Sequence, residues 1–174
     1  MLGLSFRRAR VACAALAAAA ALLAGCSPLG VLNAWVPTGT YRASNDIAYA
    51  TGPRQKLDIY RPAVSKEPAP VIVFYYGGNW NSGDRADYRF VGEALASRGL
   101  VAVLPDYRLY PAVRFPEFLN DSAQAVRWTF DHVADYGGDP RRVFLMGHSA
   151  GGYIAAIGRN TCAPWARIRG GCAA

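Results

Sequence analysis

Val143-Phe144-Leu145-Met146-Gly147-His148-Ser149-Ala150-Gly151-Gly152-Tyr153-Ile154-Ala155-Ala156-Ile157 is the stretch that decides the fold. Four apolar residues run straight into Gly-x-Ser-x-Gly, and Tyr153 to Ile157 opens an apolar helix. A serine between strand and helix sits on a tight, strained turn. The residues two before and two after it must then lack a side chain, and Gly147 and Gly151 meet that need. Such a turn lifts the Ser149 hydroxyl out of the C-terminal edge of a sheet and aims the next helix's N-terminus at it. The backbone amides there, Ala150 first, can hold a developing oxyanion, so Ser149 is the candidate nucleophile. The pentapeptide alone is a weak signal, because small-residue clusters are common; its place between strand and helix makes it strong.

Upstream, short apolar runs alternate with longer amphipathic ones, the way a parallel sheet with crossover helices is written. Leu57 to Tyr60 alternates with period two and stops at Pro62, whereas Val71 to Tyr75 is continuous and reads as a strand buried on both faces. Asp84 to Arg98 places Tyr88, Val91, Gly92 and Leu95 at helical spacing, closed by Gly99. Val101 to Leu104 reads as the next buried strand. Leu119, Ala123, Val126, Phe130 and Val133 form the stripe of a second helix that ends near Gly137-Gly138. Val143 to Met146 is then a third buried strand. No internal repeat is present.

A second oxyanion element is visible in Phe74-Tyr75-Tyr76-Gly77-Gly78-Asn79-Trp80, which leaves a buried strand through two glycines. With this loop and the elbow in order, the sequence resembles the carboxylesterase and hormone-sensitive-lipase-like branch of the α/β-hydrolase superfamily. The resemblance runs from about Leu57 to Ile157. It takes in Leu57-Asp58-Ile59-Tyr60-Arg61-Pro62, Asp106-Tyr107-Arg108-Leu109 with Pro111, and Gly137-Gly138-Asp139-Pro140. It implies a doubly wound, mostly parallel sheet, of which this chain holds the N-terminal part, and a carboxylic ester as small-molecule substrate. It also implies oxyanion donors at the amides of Gly78, Asn79 and Ala150. Tyr76 stands where the family usually has His, a side chain that orders the loop rather than reacting. Asn79 stands where it often has Gly, which puts a Cβ into the hole. Arylformamidase-type amidases share this loop and elbow, and outside the enzymes the alternative is a noncatalytic lipoprotein domain that only binds.

A serine needs a base, and in this fold the acid and the His follow it. Residues 150–174 contain no Asp, Glu or His. His148 adjoins Ser149 and, by alternation, is expected to face the interior beneath the elbow. His132 belongs near the far end of the preceding helix, at the opposite sheet edge. Asp106, Asp121 and Asp139 precede the serine and read as loop and cap residues. The chain is therefore expected to be inactive on its own. Residues 159–174 lack either period and look like an out-of-frame read of a GC-rich gene; the hypothesis of a frameshift or early stop fails if no hydrolase remainder lies in another frame downstream.

The N-terminus reads as an address. Arg7, Arg8 and Arg10 precede an apolar run from Val11 to Ala24, shorter than the roughly 20 residues a spanning helix requires. Leu23-Ala24-Gly25-Cys26 resembles a bacterial lipobox, which implies cleavage before Cys26, its acylation, and an exported, membrane-anchored protein, with Ser27 compatible with the outer membrane. The expected organisation is thus a signal peptide over 1–25, a tether over 26–45, the N-terminal part of the hydrolase domain over 46–158, and the tail. The formal charge of +7 falls to +1 once the leader arginines and Arg159, Arg167 and Arg169 are set aside, which argues against nucleic acid. Cys162 and Cys172 lack metal-ligand spacing, and only two His exist, so no metal or cofactor is expected. Their pairing, the oligomeric state and the substrate specificity stay open.

Overall fold

The computed structural model describes residues 28–65 and 68–160, the last three by backbone alone. The signal peptide, Cys26 and the Cys162 to Cys172 tail lie outside the described residues. The chain divides after Trp35. The N-terminal unit contributes one short helix, α1 (Pro28–Ala34), whose first residue is a proline that has no amide to leave unsatisfied.

The second unit is built on a five-stranded mixed sheet ordered β1-β2-β4-β3-β5. Its strands are β1 (Tyr41–Ala48), β2 (Lys56–Pro62), β3 (Ala69–Tyr75), β4 (Val101–Pro105) and β5 (Gly138–Gly147). β4, β3 and β5 are parallel, and β2 and β1 continue the sheet antiparallel. Helix α2 (Arg89–Ala96) joins β3 to β4, α3 (Glu117–His132) joins β4 to β5, and α4 (Ala150–Asn160) follows β5. From β3 the chain steps to β4 on one side and then crosses to β5 on the other. Right-handed crossovers in opposite directions put α2 and α3 on opposite faces. The carboxyl ends of β3 and β5 thereby meet at a switch point, where α/β sheets form their ligand crevices. This is the α/β-hydrolase-like architecture the sequence implies, in its N-terminal part.

The core follows from residue type. Every residue of β4 is buried, together with Val71, Val73, Phe74 and Tyr75 of β3 and Leu57, Ile59 and Tyr60 of β2. The expected helix over Asp84 to Arg98 is split. The Asp84 side chain caps the Ala86 amide at 2.9 Å and starts a 3-10 turn over Arg85–Tyr88, and the α-helix begins only at Arg89. Gly92 on that helix lets it press on β2, because a Cβ there would lie 2.5 Å from the Tyr60 ring.

Three expectations need correction. The stretch read as a tether through Asn45 contains α1 and the first half of β1. β1 hides from a periodicity test because its register slips between Ser44 and Ile47 around Asp46, at φ 59°, and its half-buried residues, Tyr41, Ser44 and Ile47, fall three apart instead of two. Val143 to Met146 is part of a longer strand and is not buried: Phe144 is 56% and Met146 45% exposed, while Val143 and Leu145 on the other face are half-buried, so the described residues leave one face of β5 uncovered. His148, expected in the interior, is exposed.

Candidate active site

β5 hands the chain to α4 through the turn that carries Ser149. Ser149 has φ 53°, in the left-handed region that β-carbon-bearing residues rarely enter. Two glycines hold the turn by being absent of side chain: a Cβ on Gly147 would lie 2.1 Å from the Gly151 carbonyl oxygen, and one on Gly151 would lie 2.0 Å from that of Tyr75. The His148 amide donates to the Tyr75 carbonyl at 3.0 Å, which fastens the turn to the end of β3. Gly151 donates to His148 at 2.9 Å and Tyr153 to Ser149 at 3.2 Å, starting α4 directly beneath the serine. Ala150 is the first residue of α4, where no helical carbonyl lies four residues earlier to accept its amide.

The loop after β3 arrives at the same place. At Gly77 an ideal Cβ would stand 3.0 Å from the Ser149 Cβ and 3.0 Å from His148 Nδ1, so this backbone passes directly alongside the serine. The next three residues all have positive φ: Gly78 at 126°, Asn79 at 51° and Trp80 at 58°. Asn79 adopts this conformation despite its Cβ, as Asn does more readily than most residues. The turn closes on the Gly78 carbonyl, which accepts from the Asn81 amide at 3.0 Å, the Ser82 amide at 3.1 Å and the Ser82 hydroxyl at 3.0 Å. Among the described residues, no acceptor within the chain takes the amides of Gly78 and Asn79. The loop therefore has two free donors beside the serine.

Tyr76 anchors the loop from behind. Its hydroxyl donates to Asp106 Oδ1 at 2.7 Å, its carbonyl accepts from the Tyr107 hydroxyl at 2.9 Å, and its ring stacks on Tyr107 and Tyr88. Asp106 is 2% exposed and sits at the centre of a charge network. Arg54 donates to the Tyr76 hydroxyl at 2.8 Å, the Gly83 carbonyl at 2.8 Å and Asp106 at 3.3 Å. Arg85 gives its backbone amide to Asp106 at 3.0 Å and its guanidinium to Asp106, Asp58 and Asp46. Burial, then the neighbouring Asp106, pushes the Tyr76 phenol far above its ordinary range, so it stays a donor. Burial also raises Asp106, against the pull of the Tyr76 hydrogen bond and Arg54.

Asp106 and Asp121 thus do more than the loop and cap roles read for them. Asp121 is fully buried on α3, taking the Arg108 amide at 2.9 Å, its guanidinium at 2.7 and 2.8 Å, and Gln55 Nε2 at 2.9 Å. Nothing at the motif level marks Arg54, Arg85 or Gln55, whose partners lie far away in sequence. Asp139, read as a loop or cap residue, is the second residue of β5, accepting the Arg141 amide at 2.9 Å.

The Ser149 hydroxyl is exposed and, among the described residues, makes no side-chain hydrogen bond. His132 ends α3, stacked on Trp128 at 4.6 Å with Nδ1 2.9 Å from the Trp128 carbonyl. It stands near the start of β5. Gly138 pairs with Ala69 and Gly147 with Tyr75, six residue steps along β3, so about 20 Å separates the two ends. The described residues contain no cluster able to hold a metal ion.

Beside the oxyanion loop lies a groove of about 580 Å³ lined by Asn79, Trp80, Tyr110, Phe115, Phe118 and Tyr153 among others. Within it Trp80 is stacked on Phe118 and edge-on to Tyr153, each at 5.6 Å.

The surroundings of this site are shared with known esterases. Esterase B from Lactobacillus rhamnosis, in an inhibited crystal structure, superposes with TM-score 0.72 at 26% identity, covering 89% of this chain and 52% of that one. The butyrate-bound esterase Est2 from Thermogutta terrifontis gives 0.58 at 34% identity, over 68% and 44%. A probable isoprenylcysteine alpha-carbonyl methylesterase of Arabidopsis thaliana is 34% identical over 76% of this chain and 29% of its own length. For carboxylesterase NlhH of Mycobacterium tuberculosis the figures are 40%, 57% and 31%. The chain spans about three tenths of the length of these curated relatives. The BD-FAE family matches residues 57–162, most of the described chain and the whole of the loop and elbow, and the chain belongs to this family of α/β-hydrolase esterases.

Proposed function

We propose that the chain carries the nucleophile and oxyanion half of a carboxylic ester hydrolase. Ser149 Oγ attacks the ester carbonyl, the amides of Gly78, Asn79 and Ala150 hold the oxyanion, and the alcohol leaves with a proton to give an acyl-serine. The observation that carries this reading is the close approach of the Gly77 backbone to the Ser149 Cβ, with unaccepted amides on the next two residues. Oxyanion donors are useful only when fixed in advance, and Tyr76 on Asp106 supplies that fixation.

Proton removal from Ser149 has no partner among the residues described. His132 is out of reach, and His148 makes no hydrogen bond to its neighbour's hydroxyl. On these residues alone acylation is slow: oxyanion stabilisation and binding without a base sustain about 10³-fold over water in other serine hydrolases. The purified chain incubated with p-nitrophenyl acetate is expected to release nitrophenol slowly and to carry an acetyl group on the peptide containing Ser149. Equal release by Ser149→Ala would overturn the reading.

A further inference from the structure

The groove beside the oxyanion loop has one feature that simple acyl binding does not require. Its walls are aromatic, with Trp80, Tyr110, Phe115, Phe118 and Tyr153, and among its lining residues Arg114 alone is charged. Arg114 is exposed, and no carboxylate of the described residues pairs with it. Glu117, three residues on, is turned instead to Arg108 at 3.6 Å. The Arg114 guanidinium lies over the Tyr110 ring at 5.6 Å, which steers the planar fork while leaving its N–H edge free. A guanidinium so placed suits bidentate pairing with a carboxylate.

The groove is also placed for substrate. Asn79 belongs to the oxyanion loop, and Tyr153 lies one helical turn beyond Ser149, its amide on the Ser149 carbonyl. A ligand whose carbonyl sits at Ser149 would lay its body along the aromatic walls with its far end toward Arg114. The volume is within the range of sites for small organic ligands.

We infer that Arg114 is a specificity-determining residue, and that the preferred substrates are half-esters: an ester at one end, an aromatic or other apolar body, and a carboxylate at the other. The inference rests on Ser149 as the site of acyl transfer, and deepens that reading by naming the substrate class. Because Arg114 is exposed, its contribution is that of a surface ion pair, about fivefold in affinity at the upper end.

The test is binding, which does not depend on turnover. Calorimetric titration of the full Ser149→Ala chain at neutral pH compares monoethyl 1,4-phenylenediacetate with its neutral diethyl ester. The half-ester is expected to bind about fivefold more tightly, with a preference that shrinks as salt is raised and disappears on adding Arg114→Gln. Arg127→Gln, which removes an exposed arginine paired with Asp131 on α3, is expected to keep the preference. Equal affinity for the two esters, no binding of either, or a preference that survives Arg114→Gln would each overturn the inference. Acetylation of Ser149 by nitrophenyl acetate reads out separately, so the ester-hydrolase reading stands or falls on its own result.

Discussion

The loop Tyr76–Trp80 and the turn Gly147–Gly151 lie against one another, yet different forces hold them. The loop is fixed from behind by side chains: a phenol, a buried carboxylate and two guanidiniums drawn from the β1–β2 side of the sheet and the turn before α2. The elbow has no such support. Its shape is set by backbone touching backbone, with glycines where any Cβ would collide, on a strand whose outer edge pairs with nothing described. A side-chain network can be retuned by substitution, which is how Tyr76 can stand where the family has His. Backbone contact leaves no such freedom.

The contrast is broken most sharply at Gly151. A Cβ 2.0 Å from the Tyr75 carbonyl oxygen meets backbone, which cannot swing aside. Gly151→Ala is expected to cost about 4 kcal/mol or more in urea unfolding, an exceptional loss for one methyl group. A wild-type midpoint would show that the elbow yields after all. Next comes Asp106→Ala, which strips the buried partner from Arg54, Arg85 and Tyr76 together. Breaking a buried ion network by removing one partner costs about 3 kcal/mol, reduced here because Arg85 keeps Asp58 and Asp46. The same variant is expected to slow Ser149 acetylation, since the donors at Gly78 and Asn79 lose their anchor. Tyr76→Phe, losing one hydroxyl, is expected to cost about 1 kcal/mol in the same unfolding experiment. If Asp106→Ala changes stability but not acetylation, the network supports the fold without positioning the loop.

What could be read from sequence follows the range of each force. β3, β4 and the Gly-x-Ser-x-Gly turn depend on neighbours within a few residues, and their patterns are visible as runs of Val and Ile or as glycine spacing. β1 was not legible, because the bulge at Asp46 breaks the alternation on which strand recognition rests. Phe144 and Met146 carry an interior residue type, but exposure depends on what lies alongside, and residue type cannot report it. His148 shows the same limit: alternation fixes the side a residue faces and says nothing of what covers that side. The Asp106 network was hidden for another reason. Its partners are 21 residues away at Arg85, 30 at Tyr76 and 52 at Arg54, and no local spacing rule connects them.

Asp139, at the opposite end of β5 from the elbow, sharpens the comparison through pH. Asp106 is a buried carboxyl that desolvation pushes up; Asp139 lies under the exposed guanidiniums of Arg141 and Arg142, and is held well below the carboxylate range. The hydrogen bonds from the Arg141 side chain and amide are the largest causes. A carboxyl whose folded pKa is depressed favours folding above its unfolded value of about 3.9, and that contribution fades as pH falls toward the folded value. Thermal unfolding of wild type and Asp139→Asn, compared between about pH 6 and pH 2, tests this. Asparagine keeps an acceptor for the Arg141 amide and removes the charge, so the difference isolates ionisation. The melting temperatures are expected to differ at pH 6 and to converge on acidification, with wild type losing more. The guanidiniums are exposed and salt-screened, so the gap should be small and should narrow further in high salt. A gap that is constant across the range would mean that Asp139 acts through its hydrogen bonds alone, and that ion pairing contributes nothing at this end of β5.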